Sequence, residues 1–254
     1  HKDWVRIVDI QRAGEPLMDK NLEKRIKYLK DAGVRFVNIS TNASLLFPDR
    51  AESLLKAGIN EVLLSIDSVD RDTYHQMRVG LSYEGVISNI KSFFRIRDKI
   101  NPNCIIRVRG VAVKSMDDPD NIREMEKWHQ FWQPLASDID RIYFKKLHTW
   151  GNKFINESRD DFAYGHELTN NPCIAPWGTF HVTTSGLVPL CGQDMDAEMN
   201  MGDCNEDSIE NIWNGPRFAE VRRKHATSNR NDISFCRGCK LWDVDFSIED
   251  NRPK

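Results

Sequence analysis

Residues 22–42 read LEKRIKYLKDAGVRFVNISTN, and the change of period inside this stretch decides the fold. Leu22, Ile26, Leu29 and Ala32 recur at helical spacing, and Gly33 stands where a helix is capped. Val34, Phe36, Val37 and Ile39 then form a short apolar run that breaks at Ser40-Thr41-Asn42. The same helix-then-strand pair continues on both sides. Val5-Arg6-Ile7-Val8-Asp9-Ile10 is an apolar run ending in Arg12-Ala13-Gly14-Glu15-Pro16. A helix carrying Leu54 and Leu55 ends at Gly58, and Val62-Leu63-Leu64-Ser65-Ile66-Asp67 follows as a strand. Val86, Ile87, Ile90, Phe93 and Phe94 mark another helix, residues 105–113 a strand, and residues 139–144 the last strand. Between those two strands, Pro119 opens a helix bearing Ile122, Met125 and Trp128.

Strands this apolar, alternating with amphipathic helices, imply a parallel sheet covered by helices. Five of them leave a barrel segment and a doubly wound sheet both open. Ligands in either case sit at the C-terminal ends of the strands. That gathers Gly14-Glu15-Pro16, Thr41-Asn42, Ser65 with Asp67, and residues 145–152 as a candidate site. Past residue 152 the pattern changes. Residues 156–171 are polar and read as a linker, and residues 180–190 read as a hairpin turning at Ser185-Gly186. Residues 208–213 and 218–223 look helical.

The chain has 254 residues, 40% of them apolar and 29% charged, which suits a soluble globular protein. A net charge of −2, from 36 basic and 38 acidic residues, gives no electrostatic case for nucleic acid or an anionic membrane. No apolar run approaches the roughly 20 residues needed to span a bilayer. Six cysteines need an explanation: Cys104, Cys173, Cys191, Cys204, Cys236 and Cys239. A chain this long buries its own core without disulfide staples, and five of the six crowd into its last third. Cys236-x2-Cys239 is a turn presenting two thiolates to one centre, while Cys191 and Cys173 flank the expected hairpin. Such a set suits an iron–sulfur cluster. Structural zinc also accepts four thiolates, although zinc ribbons use two C-x2-C knuckles. Unligated core cysteines are the third reading.

Cys173-Ile174-Ala175-Pro176-Trp177, Gly186-x4-Cys191, Ser208-Ile209-x2-Ile212-Trp213 and Cys236-x2-Cys239 closely resemble the twitch domain, the shortened form of the SPASM domain of radical S-adenosylmethionine enzymes. Their order and spacing are similar to those of the 2-deoxy-scyllo-inosamine dehydrogenase-like members. The resemblance implies that Cys173, Cys191, Cys236 and Cys239 hold one auxiliary [4Fe–4S] cluster. Cys104, which opens a strand, reads as core, and Cys204 falls where the family often shows a small polar residue and reads as a packed or free thiol. Arg12-Ala13-Gly14-Glu15-Pro16 resembles the family's Gly-Gly-Glu-Pro segment, with Ala13 in place of the first glycine. There the acidic residue and backbone hold the cosubstrate's amino group. Thr41-Asn42 looks like the family's Thr-Asn-Gly, with Ala43 replacing glycine. Ser65-Ile66-Asp67 resembles its Ser-x-Asp, and Arg78 falls where a related arginine meets the cosubstrate carboxylate. The family's cluster-binding Cys-x3-Cys-x2-Cys run does not occur in this sequence, so a second [4Fe–4S] cluster is expected on an upstream segment with the first strand and helix.

The resemblance implies a partial (β/α)6 TIM-like barrel over residues 1–152, a linker over 153–172 and a twitch/SPASM-type domain over 173–254. It implies a cytoplasmic oxidoreductase that uses S-adenosylmethionine to generate a 5′-deoxyadenosyl radical and abstract hydrogen from substrate. The auxiliary cluster would accept an electron, an outcome such as alcohol to ketone. Lys146, His148 and Trp150 are the candidate substrate-facing residues. An external electron donor such as flavodoxin or ferredoxin completes the expectation, and the substrate is a small molecule or a peptide. Two rivals stand beside it: a peptide-modifying maturase, and a non-catalytic degenerate barrel with a structural metal knuckle.

Overall fold

The computed structural model describes residues 4–112, 118–146, 172–237 and 239. The chain divides into two compact units, His1–Leu147 and His148–Lys254. The expected linker, residues 153–172, lies outside the described residues apart from Pro172.

The first unit alternates β1 (Ile7–Asp9), α1 (Leu22–Asp31), β2 (Phe36–Thr41), α2 (Pro48–Lys56), β3 (Glu61–Asp67), α3 (Arg71–Met77), α4 (Tyr83–Ile100), β4 (Ile105–Ala112), α5 (Pro119–Trp132) and β5 (Arg141–Lys146). All pairings are parallel and the strand order is sequential, β1-β2-β3-β4-β5. Right-handed crossovers along a sequential sheet put every helix on the same face. A doubly wound sheet needs its order to reverse. Sequential order therefore selects the barrel segment. Val37, Ile39, Val62, Leu64, Ile66, Ile106 and Val108 join the helices in the apolar core. Alternate residues carry the other face, and there Asn38, Ser40, Ser65, Arg107 and Arg109 are polar. Among the described residues the sheet is thus covered by helices on one side, and its second side has the character of a barrel lumen.

Local chemistry sets the helix ends. Asp70, Ser82 and Asp118 each accept a backbone N–H in the first turn of α3, α4 and α5, and Pro48 and Pro119 occupy first-turn positions. Gly33 and Gly58, both at positive φ, end α1 and α2. At the N-terminal ends of β4 and β5 lies a buried latch. Arg97 on α4 binds Asp140 bidentately, Nη1 to Oδ1 at 2.7 Å and Nη2 to Oδ2 at 2.6 Å. Arg97 also donates to the Cys104 carbonyl, and Asp140 accepts from the amides of Ile106 and Ser137.

The second unit holds α6 (Ala175–Gly178), β6 (Leu187–Pro189), β7 (Asn200–Asp203), α7 (Ile209–Asn214) and α8 (Pro216–Ala226). The expected hairpin needs correction. The turn at Gly186 is present, but β6 pairs antiparallel with β7 rather than with residues 180–183. Phe180 is drawn instead into an aromatic group with Trp213 and Phe218. Gly202 lets β7 lie against Ile212, where a Cβ would come within 2.8 Å. Buried Asp194 ties the β6–β7 connection by accepting from the amides of Leu190, Glu198 and Met199. Among the described residues no helix is long and apolar enough to cross a membrane.

Candidate functional site

Two clusters of polar side chains stand at the C-terminal ends of the first unit's strands. In the first, Gly14 takes φ +84° and Glu15 caps the short turn Pro16–Met18. Glu15 Oε1 accepts from Leu17 N at 3.0 Å and Thr41 Oγ1 at 2.6 Å, and Oε2 accepts from Asn42 N at 2.8 Å. The carboxylate expected to meet an ammonium therefore ties the β1 loop to the end of β2, while Oε2 keeps capacity for another donor. Asn42 Oδ1 caps its own loop through Ser44 N. Ala43 adopts φ +61°, the left-handed region that a glycine enters without cost. That is why glycine suits this position.

In the second cluster, Arg78 Nε donates to Asp67 Oδ2 at 2.6 Å and its Nη2 to Ser65 Oγ at 2.9 Å. Arg109 Nη2 on β4 reaches the same Ser65 Oγ at 3.0 Å. Asp67 sits at φ +71°, where the β3–β4 register shifts. Its Oδ1 and Arg109 Nε are buried with no hydrogen-bond partner among the described residues. Two guanidinium groups face one carboxylate, so one positive charge is left over for an anionic ligand group. Ser65, Asp67 and Arg78 were singled out from sequence. Arg109 was not, though Arg107 and Arg109 alternate in an otherwise apolar strand. Lys146 closes β5 but its side chain is not among those described, and His148 and Trp150 lie outside the described residues.

In the second unit Cys173, Cys191, Cys236 and Cys239 are half-buried and unpaired as disulfides. Every pair among the four is close enough for one thiolate to raise the pKa of another. Burial first, and these neighbours next, push Cys236 up to about 12. Burial likewise pushes Cys191 up to about 11. The amide of Ala175 donates to the Cys173 sulfur, and those of Gln193 and Asp194 to the Cys191 sulfur. Amide donors and limited solvent are what a cluster's sulfurs require, so this donor set fits an iron–sulfur group. Among the described residues no three His, Cys, Asp or Glu side chains close around a single ion. Cys204 feels burial and Asp203 but none of the four. Cys104 is fully buried beside the Arg97–Asp140 latch, and burial pushes its thiol up to about 12.

Sequence reading passed over two groups here. His225 Nδ1 accepts the Cys173 amide at 3.1 Å, which assigns the imidazole proton to Nε2. Burial, then the nearby Arg230 charge, holds His225 down to about 4, so it is neutral. Arg230 itself is buried and donates from Nη2 to the Cys239 carbonyl at 2.6 Å.

A sequential parallel sheet with charged groups at its strand ends, followed by a small cysteine-bearing unit, defines a barrel enzyme with an appended cysteine module. Residues 6–124 match the radical SAM superfamily, and residues 173–240 match SPASM, an iron–sulfur cluster-binding domain. An AdoMet-dependent heme synthase of Methanosarcina barkeri is 36% identical, over 91% of this chain and 76% of that protein. The GTP 3′,8-cyclase of Alkaliphilus oremlandii is 34% identical over 61% of this chain and 45% of its own. The crystal structure of BtrN in complex with AdoMet and 2-DOIA superposes with TM-score 0.56 at 18% identity, covering 93% of this chain and 73% of that one. SuiB of Streptococcus suis gives 0.61 at 15%, covering 97% and 64%. The chain belongs to the radical SAM superfamily and carries its SPASM module. [4Fe–4S] clusters and S-adenosylmethionine are the cofactors of that family. The chain spans less than half the length of the first curated relatives it matches.

Proposed function

We propose that this protein serves a two-electron oxidation of a C–H bond in a small molecule. Bound S-adenosylmethionine supplies a hydrogen-abstracting radical, and iron–sulfur clusters supply and accept single electrons. The observation that carries the reading is the convergence of Cys173, Cys191, Cys236 and Cys239, with Cys104 and Cys204 standing apart. Four thiolates complete a cluster's ligation and leave no open iron for substrate, so electron transfer is the chemistry this donor set favours. On the barrel side, Arg78 and Ser65 hold the cosubstrate carboxylate, with Asp67 aiming the guanidinium. Glu15 offers its remaining lone pair to the ammonium.

Reconstituted without oxygen, the chain should carry about four iron and four sulfide. Cys236→Ala or Cys239→Ala should abolish uptake, and Cys104→Ala or Cys204→Ala should not. One zinc per chain, without sulfide-to-iron absorbance, would overturn the assignment. A second reading is favoured by the 36% identity to a heme synthase over 91% of the chain, which makes a haem precursor the substrate. Formation of 5′-deoxyadenosine separates the readings. It is measured in protein that also carries a Cys-x3-Cys-x2-Cys segment, with alcohol, peptide or tetrapyrrole added.

A further inference from the structure

Arg230 lies 1% exposed in the cysteine-bearing unit and opens the short turn Arg230–Asp232. That turn runs through buried Ile233 into Cys236, whose amide bonds the Ile233 carbonyl. Arg230 Nη2 holds the Cys239 carbonyl at 2.6 Å. Burial dominates the raised pKa of Cys173 and Cys236 and the lowered one of His225, and the Arg230 charge adds to each balance by favouring the thiolates and disfavouring the imidazolium. One buried guanidinium is therefore anchored to the backbone of one candidate ligand, Cys239, and the turn it opens leads into a second, Cys236.

A four-thiolate cluster is anionic, and adding one electron makes it more so. A fixed cation close by in a poorly solvated site favours the reduced form. Arginine suits that task because its guanidinium keeps its proton when buried, where an ammonium readily loses one. We propose that Arg230 is the buried countercharge that raises the reduction potential of the auxiliary cluster and so equips it to take up an electron. The couple is a one-electron couple: the oxidised cluster gains one electron from a mediator and no bond is made or broken. The proposal rests on the four-cysteine cluster reading, and Arg230 is a positioning and tuning residue rather than a catalytic one.

The test is an anaerobic redox titration of the reconstituted chain, followed by the paramagnetic signal of the reduced cluster. Arg230→Gln should shift the oxidised-to-reduced ratio at a fixed potential at least tenfold toward oxidised, about 59 mV for a one-electron couple. Arg230→Lys should shift it less. Failure of the glutamine variant alone to take up iron defeats the proposal, because Arg230 would then be needed to build the site rather than to set its potential. An unchanged midpoint in Arg230→Gln overturns the proposal. So do equal shifts in both variants, or loss of the cluster in both, because the guanidinium geometry at the Cys239 carbonyl would then be what matters. A wild-type chain that takes up no iron refutes the cluster reading itself, which is a separate result.

Discussion

The two ends of the five-stranded sheet handle buried charge in opposite ways. At the N-terminal ends, Arg97 and Asp140 are fully enclosed, and all their polar atoms are met by each other, by Asp98, by Ser137, or by the backbone at Cys104 and Ile106. At the C-terminal ends, Arg78, Asp67, Ser65 and Arg109 form an equally tight group that leaves Asp67 Oδ1 and Arg109 Nε without partners among the described residues. A saturated network is finished when the chain folds. An unsaturated one, with surplus positive charge and a left-handed Asp67, keeps capacity for a further partner. The first end is closed on itself, and the second keeps buried polar atoms unmet among the described residues.

The largest effect should come from breaking the finished end. Asp140→Ala strands a buried guanidinium, and removing one partner of such a pair costs about 3–5 kcal/mol. Denaturant unfolding measures it. Burial raises the Asp140 pKa, but hydrogen bonds from Arg97, Ser137 and Ile106 outweigh it and leave the carboxyl below its ordinary value. A depressed folded-state pKa contributes stability that is present above the unfolded value of about 3.9 and is lost as pH falls through the folded one. Acid unfolding below about pH 4 should therefore be blunted in Asp140→Ala.

Arg78→Ala sharpens the contrast. Its guanidinium is partly exposed, so water replaces some of what is lost, and stability should fall less than in Asp140→Ala. Binding of S-adenosylmethionine, in protein that also carries a Cys-x3-Cys-x2-Cys segment, should weaken about tenfold to a hundredfold, as one charge-assisted hydrogen bond implies. Equal destabilisation at both ends, with unchanged cosubstrate affinity, would erase the distinction. Glu15→Gln is the mildest of the three. The amide keeps the shape but loses acceptor capacity opposite Leu17, Thr41 or Asn42, a loss of about 1 kcal/mol by thermal melts.

Much of this frame was legible from periodicity. The strands at residues 36, 62, 105 and 141 and the glycine-ended helices follow from local pattern, and sequential order then made the barrel. The short helix α3 was not foreseen, because Arg71–Met77 has no apolar period and rests on its Asp70 cap. Nor was β7, whose Asn200–Asp203 carries one buried apolar residue and pairs across a loop that Asp194 organises. In the candidate sites, Glu15, Ser65, Asp67 and Arg78 were recognisable by motif. Arg109 and Arg230 were not, since their partners are set by the fold and not by a local motif. The Arg97–Asp140 latch joins residues 43 apart, a separation at which no local pattern speaks.

The latch also has a consequence for descent. Because it secures the barrel from the end away from the site, substitutions at the strand tips draw little on the stability that keeps the chain folded. Lineages can therefore reletter the loops after β1, β2 and β3 while the frame survives.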